Sequence, residues 1–240
     1  MSTALITGGN RGLGRAVAEA LASRGTRVVI AARDAQAGAA AAAQIGGATM
    51  SVQLDVTDPA SVRSAAAWLE EAVGGIDVLI NNAGVLPEGS AEVGEVVDLE
   101  LFEQTYATNL LGVVSVTQAF LPQLRRSAGG RIVNVSSTMG SIADQTNPAS
   151  PYYGTVVPAY QSSKAALNSV TISLAKALAS TPIKVTSVCP GFVQTDLTPI
   201  SREQAPLTAS QGAAVVVEAG MLPDDAASGT FIDSSGVVAW

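Results

Sequence analysis

Tyr160 and Lys164 stand four residues apart in a segment whose apolar spacing predicts a helix, so the two side chains share one face. Tyr106, Tyr152 and Tyr153 have no lysine at that spacing, and Lys176 and Lys184 are the only other lysines; chance gives about 0.05 such pairs in a chain of this composition. A free phenol ionises near pH 10, too high for efficient proton exchange near neutrality, and a cation held beside it favours the phenolate. Bringing the phenol into the neutral range requires about 4 kcal/mol of differential stabilisation, which an ammonium and a positively charged bound group can supply in a partly dry site. Ser136 and Ser137 end the segment Ile132-Val133-Asn134-Val135, where a hydroxyl can donate to a substrate carbonyl oxygen; spacing from the strand does not choose between them. Histidine is absent and cysteine occurs once, at Cys189. That removes Ser-His-Asp and Cys-His nucleophiles, disulfides, and zinc sites built on Cys or His clusters, so no metal site is expected. Cys189 itself reads as a small buried residue.

The elements that must position these groups alternate along the chain. Strands are predicted at Thr3–Thr7, Arg27–Ala32, Thr49–Asp55, Val78–Asn81, Arg131–Val135 and Lys184–Cys189. Helices are predicted at Leu13–Ser23, Ala35–Gln44, Pro59–Val73, Leu99–Leu124 with a kink at Gly112, Tyr160–Ala179 and Ala209–Ala219. Strands such as Val28-Val29-Ile30-Ala31-Ala32 are apolar on both faces, as in a parallel sheet covered by helices on both sides, so the expected fold class is a single doubly wound α/β domain over residues 1–240. Ligands of such sheets sit beyond the carboxyl ends of the strands, which makes the irregular segments 86–97, 140–159 and 197–207 the candidates for substrate contact.

The chain has 240 residues, 48% of them hydrophobic, with a net charge of −7 and no Lys/Arg-rich run, so a nucleic-acid partner is not expected. No apolar run approaches the roughly 18 residues of a bilayer span, and Met1 to Gly8 reads straight into a strand rather than a leader. No membrane association and a cytoplasmic location are the corresponding expectations.

The first strand runs into Gly8-Gly9-Asn10-Arg11-Gly12-Leu13-Gly14 and then a helix, which brings backbone N–H groups and a helix N-terminus to one place where a phosphate can dock. The spacing GxxxGxG is not the GxGxxG fingerprint, so the strand–turn–helix context carries this inference. After the second strand, Ala32 cannot accept from ribose hydroxyls as an acidic residue would, whereas Arg33 can meet a 2′-phosphate, and Arg11 can approach the same group. NADP(H) is therefore the expected cofactor. Asp55, before Val56, is either an acceptor for an adenine amino group or a turn residue. In Asn81-Asn82-Ala83-Gly84 the amides can satisfy backbone groups at the sheet end while Gly84 lets a flat ligand pass close.

Taken together, the turn from Thr7 to Gly14, Asn81 to Gly84, Asn109, Ser137, Tyr160 with Lys164, and Pro190-Gly191 resemble the short-chain dehydrogenase/reductase family, single-domain branch, in motif order over nearly the whole chain. The resemblance implies a Rossmann-type fold and a nicotinamide cofactor. It makes Ser137 the counterpart of the family's catalytic serine, Tyr160 the acid/base, Lys164 the residue that also binds the nicotinamide-ribose hydroxyls, and Asn109 the residue that anchors a water in the proton relay. It likewise assigns cofactor contacts to the glycine-turn residues Gly8, Asn10, Arg11, Gly12, Leu13 and Gly14, to Arg33, Asp55 and Val56, and to Asn82, Ala83 and Gly84. Pro190, Gly191, Val193 and Thr195 match the segment that fixes the carboxamide.

Ser137 and Tyr160 are 23 apart, where common members have a spacing nearer a dozen, so an insertion lies at 142–157. With Gly9-Asn10-Arg11, Ala31-Ala32-Arg33-Asp34 and the final Trp240, it is similar to the carbonyl-reductase subgroup, which implies NADPH-dependent reduction of aldehydes and ketones. Tyr152, Tyr153 and prolines in the insertion offer apolar walls to a small hydrophobic carbonyl or alcohol substrate. The insertion also lies beside a helix that many relatives use to dimerise, which leaves homo-oligomer and monomer both open. The competing expectations are a cofactor-binding regulator without turnover and an NAD-linked alcohol dehydrogenase.

Overall fold

The computed structural model describes residues 1–89 and 98–240. Eight strands form one sheet: β1 Thr3–Thr7, β2 Arg27–Ala32, β3 Thr49–Gln53, β4 Val78–Asn81, β5 Arg131–Val135, β6 Lys184–Val188, β7 Thr230–Asp233 and β8 Gly236–Val237, in the spatial order β3-β2-β1-β4-β5-β6-β7-β8. All neighbours pair in parallel except β7 and β8. Strand β1 lies between β2 and β4, with Leu5 opposite Val29 on one side and Leu79 on the other, so the winding reverses there and a crevice opens at the carboxyl ends of β1 and β4.

Period-two alternation explains why these strands are apolar throughout. Ala4 and Ile6 enter a core with helices α1 (Gly12–Ser23), α2 (Ala35–Ile45) and α9 (Ala209–Gly220), while Leu5 enters a second core with α3 (Pro59–Val73), α5 (Val113–Leu124) and α7 (Pro158–Ala177). The expected doubly wound single domain is thus the observed one.

Several expectations change in detail. Strands β3 and β6 stop at Gln53 and Val188, and the short strands β7 and β8 extend the sheet beyond the six predicted. The long helix does not kink at Gly112, whose backbone is helical (φ −60°, ψ −43°). It divides instead into α4 (Leu99–Tyr106), a π-helical turn over Ala107–Gly112, and α5. Gly112 is small for a packing reason, since a β-carbon there would lie 2.9 Å from Val56 Cγ2. The irregular segments contain a 3₁₀ turn at Pro87–Gly89 and short helices α6 (Ile142–Gln145) and α8 (Pro199–Gln204); the remainder of 86–97, from residue 90, lies outside the described residues. Helix α6 is docked by the Ala143 amide donating to the Trp240 carbonyl at 3.1 Å, and the Trp240 ring stacks on Phe231 at 5.6 Å. Among the described residues no helix is long and apolar enough to cross a membrane, and no cluster of three metal-capable side chains occurs.

Candidate active site

The start of the glycine turn is tethered to the neighbouring strand. Gly8 N and Gly9 N both donate to Ala31 O, at 2.9 and 3.3 Å, which holds the turn beside the end of β2. Gly8 (φ +64°) and Gly12 (φ +53°) occupy the left-handed region, and a β-carbon on Gly14 would stand 2.4 Å from Gly8 O. Asn82 Nδ2 donates to Thr7 O and Gly8 O at 2.9 and 3.2 Å, and Thr7 Oγ1 accepts from the amides of Asn82 and Ala83, each at 3.0 Å. The predicted role of Asn82 in closing the sheet end is therefore observed, whereas Asn81 turns inward to Asn134 at 2.9 Å. Helix α1 begins at extended Arg11 with no side-chain cap, so its first amides lack a side-chain acceptor. Such a cradle fits the pyrophosphate of a dinucleotide.

Pro190 to Thr195 closes the cradle from the other side. Gly191 is left-handed (φ +83°), Val193 is buried and bridges to Leu207, and a β-carbon on Gly12 would be 3.4 Å from Thr195. At the nucleotide end, Ala32 is buried while Arg33 and Arg11 are exposed; among the described residues neither guanidinium is hydrogen-bonded or in an ion pair. Asp55 forms a turn, accepting from Thr57 N and Oγ1 at 2.9 and 2.7 Å, both through Oδ1. Burial alone would raise the Asp55 carboxyl, but the Thr57 bonds and the Arg33 guanidinium outweigh it and hold the group below its ordinary value.

The acid/base candidates meet where α7 crosses the end of β5. Tyr160 and Lys164 are both buried on one face of α7, and Ser137, just past β5, stands close enough to the Tyr160 phenol to favour its ionisation. Ser136 is instead committed to Asn168 Oδ1 at 2.7 Å, so geometry distinguishes two serines that spacing could not. Close approach depends on Gly140, where a β-carbon would lie 2.6 Å from Lys164 Cβ. Lys164 Nζ donates to Val135 O at 2.8 Å.

Burial, with a smaller contribution from Cys189, pushes the Tyr160 phenol above its ordinary value despite the opposing influence of Ser137, and burial lowers Lys164 from 10.5 to about 8. The fold withdraws both groups from water, and loss of hydration outweighs their mutual attraction. Asn109, in the π turn, is fully buried with its side chain bonded to Val85 N, Val85 O and Ser163 Oγ at 2.9, 2.9 and 3.2 Å.

Cys189, buried as expected, stands close to Tyr160, Lys164 and Tyr152, and one further residue, Glu88, reaches this site without a local sequence signal. Tyr152 of the insertion is half-buried beside Tyr160, whereas Tyr153 is 54% exposed and forms no wall. Glu88 is buried and accepts from Ala159 N and Tyr160 N at 3.0 and 2.8 Å.

A crevice at a winding reversal, a glycine cradle, and buried Tyr160 and Lys164 with Ser137 beside them define a dinucleotide-binding oxidoreductase architecture. Residues 2–206 match the family described as short chain dehydrogenase, and the chain belongs to that family. Salutaridine reductase of Papaver bracteatum is 31% identical, with 100% of this chain and 96% of the relative covered. Among solved structures, NADPH-bound carbonyl reductase from chicken fatty liver superposes with a TM-score of 0.88 at 29% identity, covering 100% of this chain and 94% of that one. A 3-ketoacyl-(acyl-carrier-protein) reductase from Brucella melitensis, complexed with NADH, gives 0.83 at 27% identity over 97% and 96%. The carbonyl-reductase-like resemblance read from the sequence agrees with these relatives.

Proposed function

We propose that this chain is an NADP(H)-dependent oxidoreductase that reduces an aldehyde or ketone to the alcohol. The observation that carries the reading is the convergence of buried Tyr160 and Lys164, one helical turn apart on α7, with Ser137 beside the phenol and the glycine cradle at the same sheet edge. A nicotinamide held there would supply the hydride for the carbonyl carbon. Ser137 donates to the carbonyl oxygen and Tyr160 protonates it as the alkoxide forms. A phenol pushed above its ordinary value holds its proton throughout the neutral range, which suits it as the acid of a reduction.

Lys164 binds the nicotinamide-ribose hydroxyls and supplies positive charge beside the phenol. Asn10, Arg11, Gly12, Leu13 and Gly14 would take the phosphates on backbone amides and the open end of α1, with left-handed Gly8 shaping the turn beneath them. Arg33 and Arg11 meet the 2′-phosphate, Asp55 and Val56 flank the adenine, and Asn82, Ala83 and Gly84 with Pro190, Gly191, Val193 and Thr195 hold the nicotinamide end. The Asn109 side chain is committed to Val85 and Ser163, so its share in a proton relay falls to its backbone. Exposed Ile142, Val156, Leu197 and Ile200, with half-buried Tyr152, support a hydrophobic substrate.

The test follows NADPH oxidation at 340 nm with a panel of aromatic and aliphatic ketones. Tyr160→Phe is expected to lose about 10²- to 10⁴-fold in kcat while still binding NADPH. Undiminished turnover in that variant removes Tyr160 from the mechanism, and tight NADPH binding without any product redirects the reading to a regulator.

A further inference from the structure

Glu88 is a buried carboxylate outside the acid/base set. It is 7% exposed, none of the ion pairs among the described residues includes it, and its two oxygens are spent on consecutive amides of α7: Oε1 on Ala159 N at 3.0 Å and Oε2 on Tyr160 N at 2.8 Å. A buried charge is costly unless well compensated, and here two charge-assisted bonds and the positive end of a 20-residue helix compensate it. The local sequence provides no substitute. Val157, the N-cap, offers no side-chain acceptor, and Pro158 has no N–H, so Ala159 and Tyr160 carry the first free amides of the helix.

An ordinary cap belongs to the residue just before its helix and moves with it. This one reaches across 71 and 72 residues, from the segment that leaves β4 through Asn82-Ala83-Gly84. That segment is itself fixed: Asn109 bonds both the N–H and the C=O of Val85, and Gly89 abuts the cap of α8 so closely that a β-carbon would lie 2.5 Å from Thr198 Cγ2. The amide that Glu88 holds belongs to the tyrosine itself.

We propose that Glu88 is a positioning residue for Tyr160, fixing the phenol relative to Ser137 by tying the first turn of α7 to the β4 segment on the opposite side of the crevice. The role rests on the reading of Tyr160 as the acid/base. Misplacement of a reacting group by about 1 Å costs on the order of 10²-fold in rate, which sets the scale of the effect.

The experiment compares wild type, Glu88→Ala and Glu88→Gln; the glutamine keeps the packing and one acceptor oxygen, so it remains folded if the alanine variant does not. Expected are kcat losses of about 10²-fold for Glu88→Ala and about tenfold for Glu88→Gln, with the cofactor KM changed by less than about threefold. Amide exchange in a peptide spanning 158–164 accelerates in both variants, while peptides of α1 keep their protection. Unchanged exchange, or an active wild type whose kcat survives both substitutions, overturns the positioning role alone. A wild type that turns over no carbonyl removes the functional reading of Tyr160, and the positioning role with it.

Discussion

Lys164 Nζ lies 5.6 Å from the centre of the Tyr160 ring, yet it spends a hydrogen bond on the Val135 carbonyl at 2.8 Å. The two groups are therefore shifted in opposite senses by the same cause. Both are buried, and burial favours the neutral form of each, so the phenol keeps its proton more firmly and the ammonium gives its proton up more easily than in water.

The alkaline limit of reduction should accordingly belong to the lysine. Reduction requires Tyr160 protonated and Lys164 charged; the first persists above pH 10, while the second fades above about 8. A profile of kcat/KM for the cofactor from pH 6 to 10 should be level on the acid side and fall with a midpoint near 8. Lys164→Arg, which cannot lose its proton in this range, should abolish that fall in whatever activity it retains. A wild-type profile level to pH 9.5 would contradict the assignment.

The same depression is a stability statement. A folded-state value of about 8 against 10.5 unfolded costs about 3 kcal/mol at neutral pH, and stability from this group is regained as pH rises through the window between them. Lys164→Met removes the buried charge but leaves Val135 O without its partner, at about 1–3 kcal/mol. The variant should thus unfold at a temperature equal to or a few degrees above wild type while losing turnover. A Tm clearly below wild type would show that the ammonium stabilises the fold.

What the sequence makes legible follows from what is local. The glycine turn, the parallel strands and the Tyr-Lys pair are fixed by spacing within one or two elements, and they stand in the structure where that spacing puts them. Glu88 is invisible to such reasoning because its partners lie 71 and 72 residues away. Ser136 and Ser137 diverge only when Asn168 and Tyr160 are folded against them. The degree to which Tyr160 and Lys164 are withdrawn from water is a tertiary property, which their spacing does not reveal. The π turn at Ala107–Gly112 escapes a 3.6-residue template, and β8, two residues long, has no periodicity to detect.

Gly14 tests the cradle directly. A β-carbon there would lie 2.4 Å from Gly8 O and 2.5 Å from Asn82 Nδ2, and neither can retreat without breaking the bonds that hold the turn. Gly14→Ala should lose about 1–3 kcal/mol in urea unfolding together with NADPH binding. Gly154→Ala, where a β-carbon meets nothing within 4 Å, is the control and should stay within about 1 kcal/mol of wild type. Equal effects at the two sites would deny the cradle its tight packing.

The proposed preference for NADP(H) rests on the end of β2. Ala32 is buried and has no acceptor for ribose hydroxyls, while Arg33 next to it is exposed, and the tether from Gly8 and Gly9 to Ala31 O brings the turn carrying Arg11 to the same edge. A charge-assisted bond to a 2′-phosphate is worth about 1.5–3 kcal/mol, so Arg33→Ala should weaken NADPH by about 10- to 100-fold. NADH, which lacks that phosphate, should change by no more than about twofold. Arg11→Ala should act in the same direction, and the preference for NADPH should shrink as salt rises because both guanidiniums face solvent. Ala32→Asp should work in the opposite sense, supplying an acceptor for the ribose hydroxyls and repelling the phosphate, so that NADH gains while NADPH loses. Titration of each variant with both cofactors separates these outcomes. Equal losses for NADPH and NADH in Arg33→Ala would mean that the guanidinium holds the adenosine in general, or merely the Asp55 turn beside it, and not the 2′-phosphate.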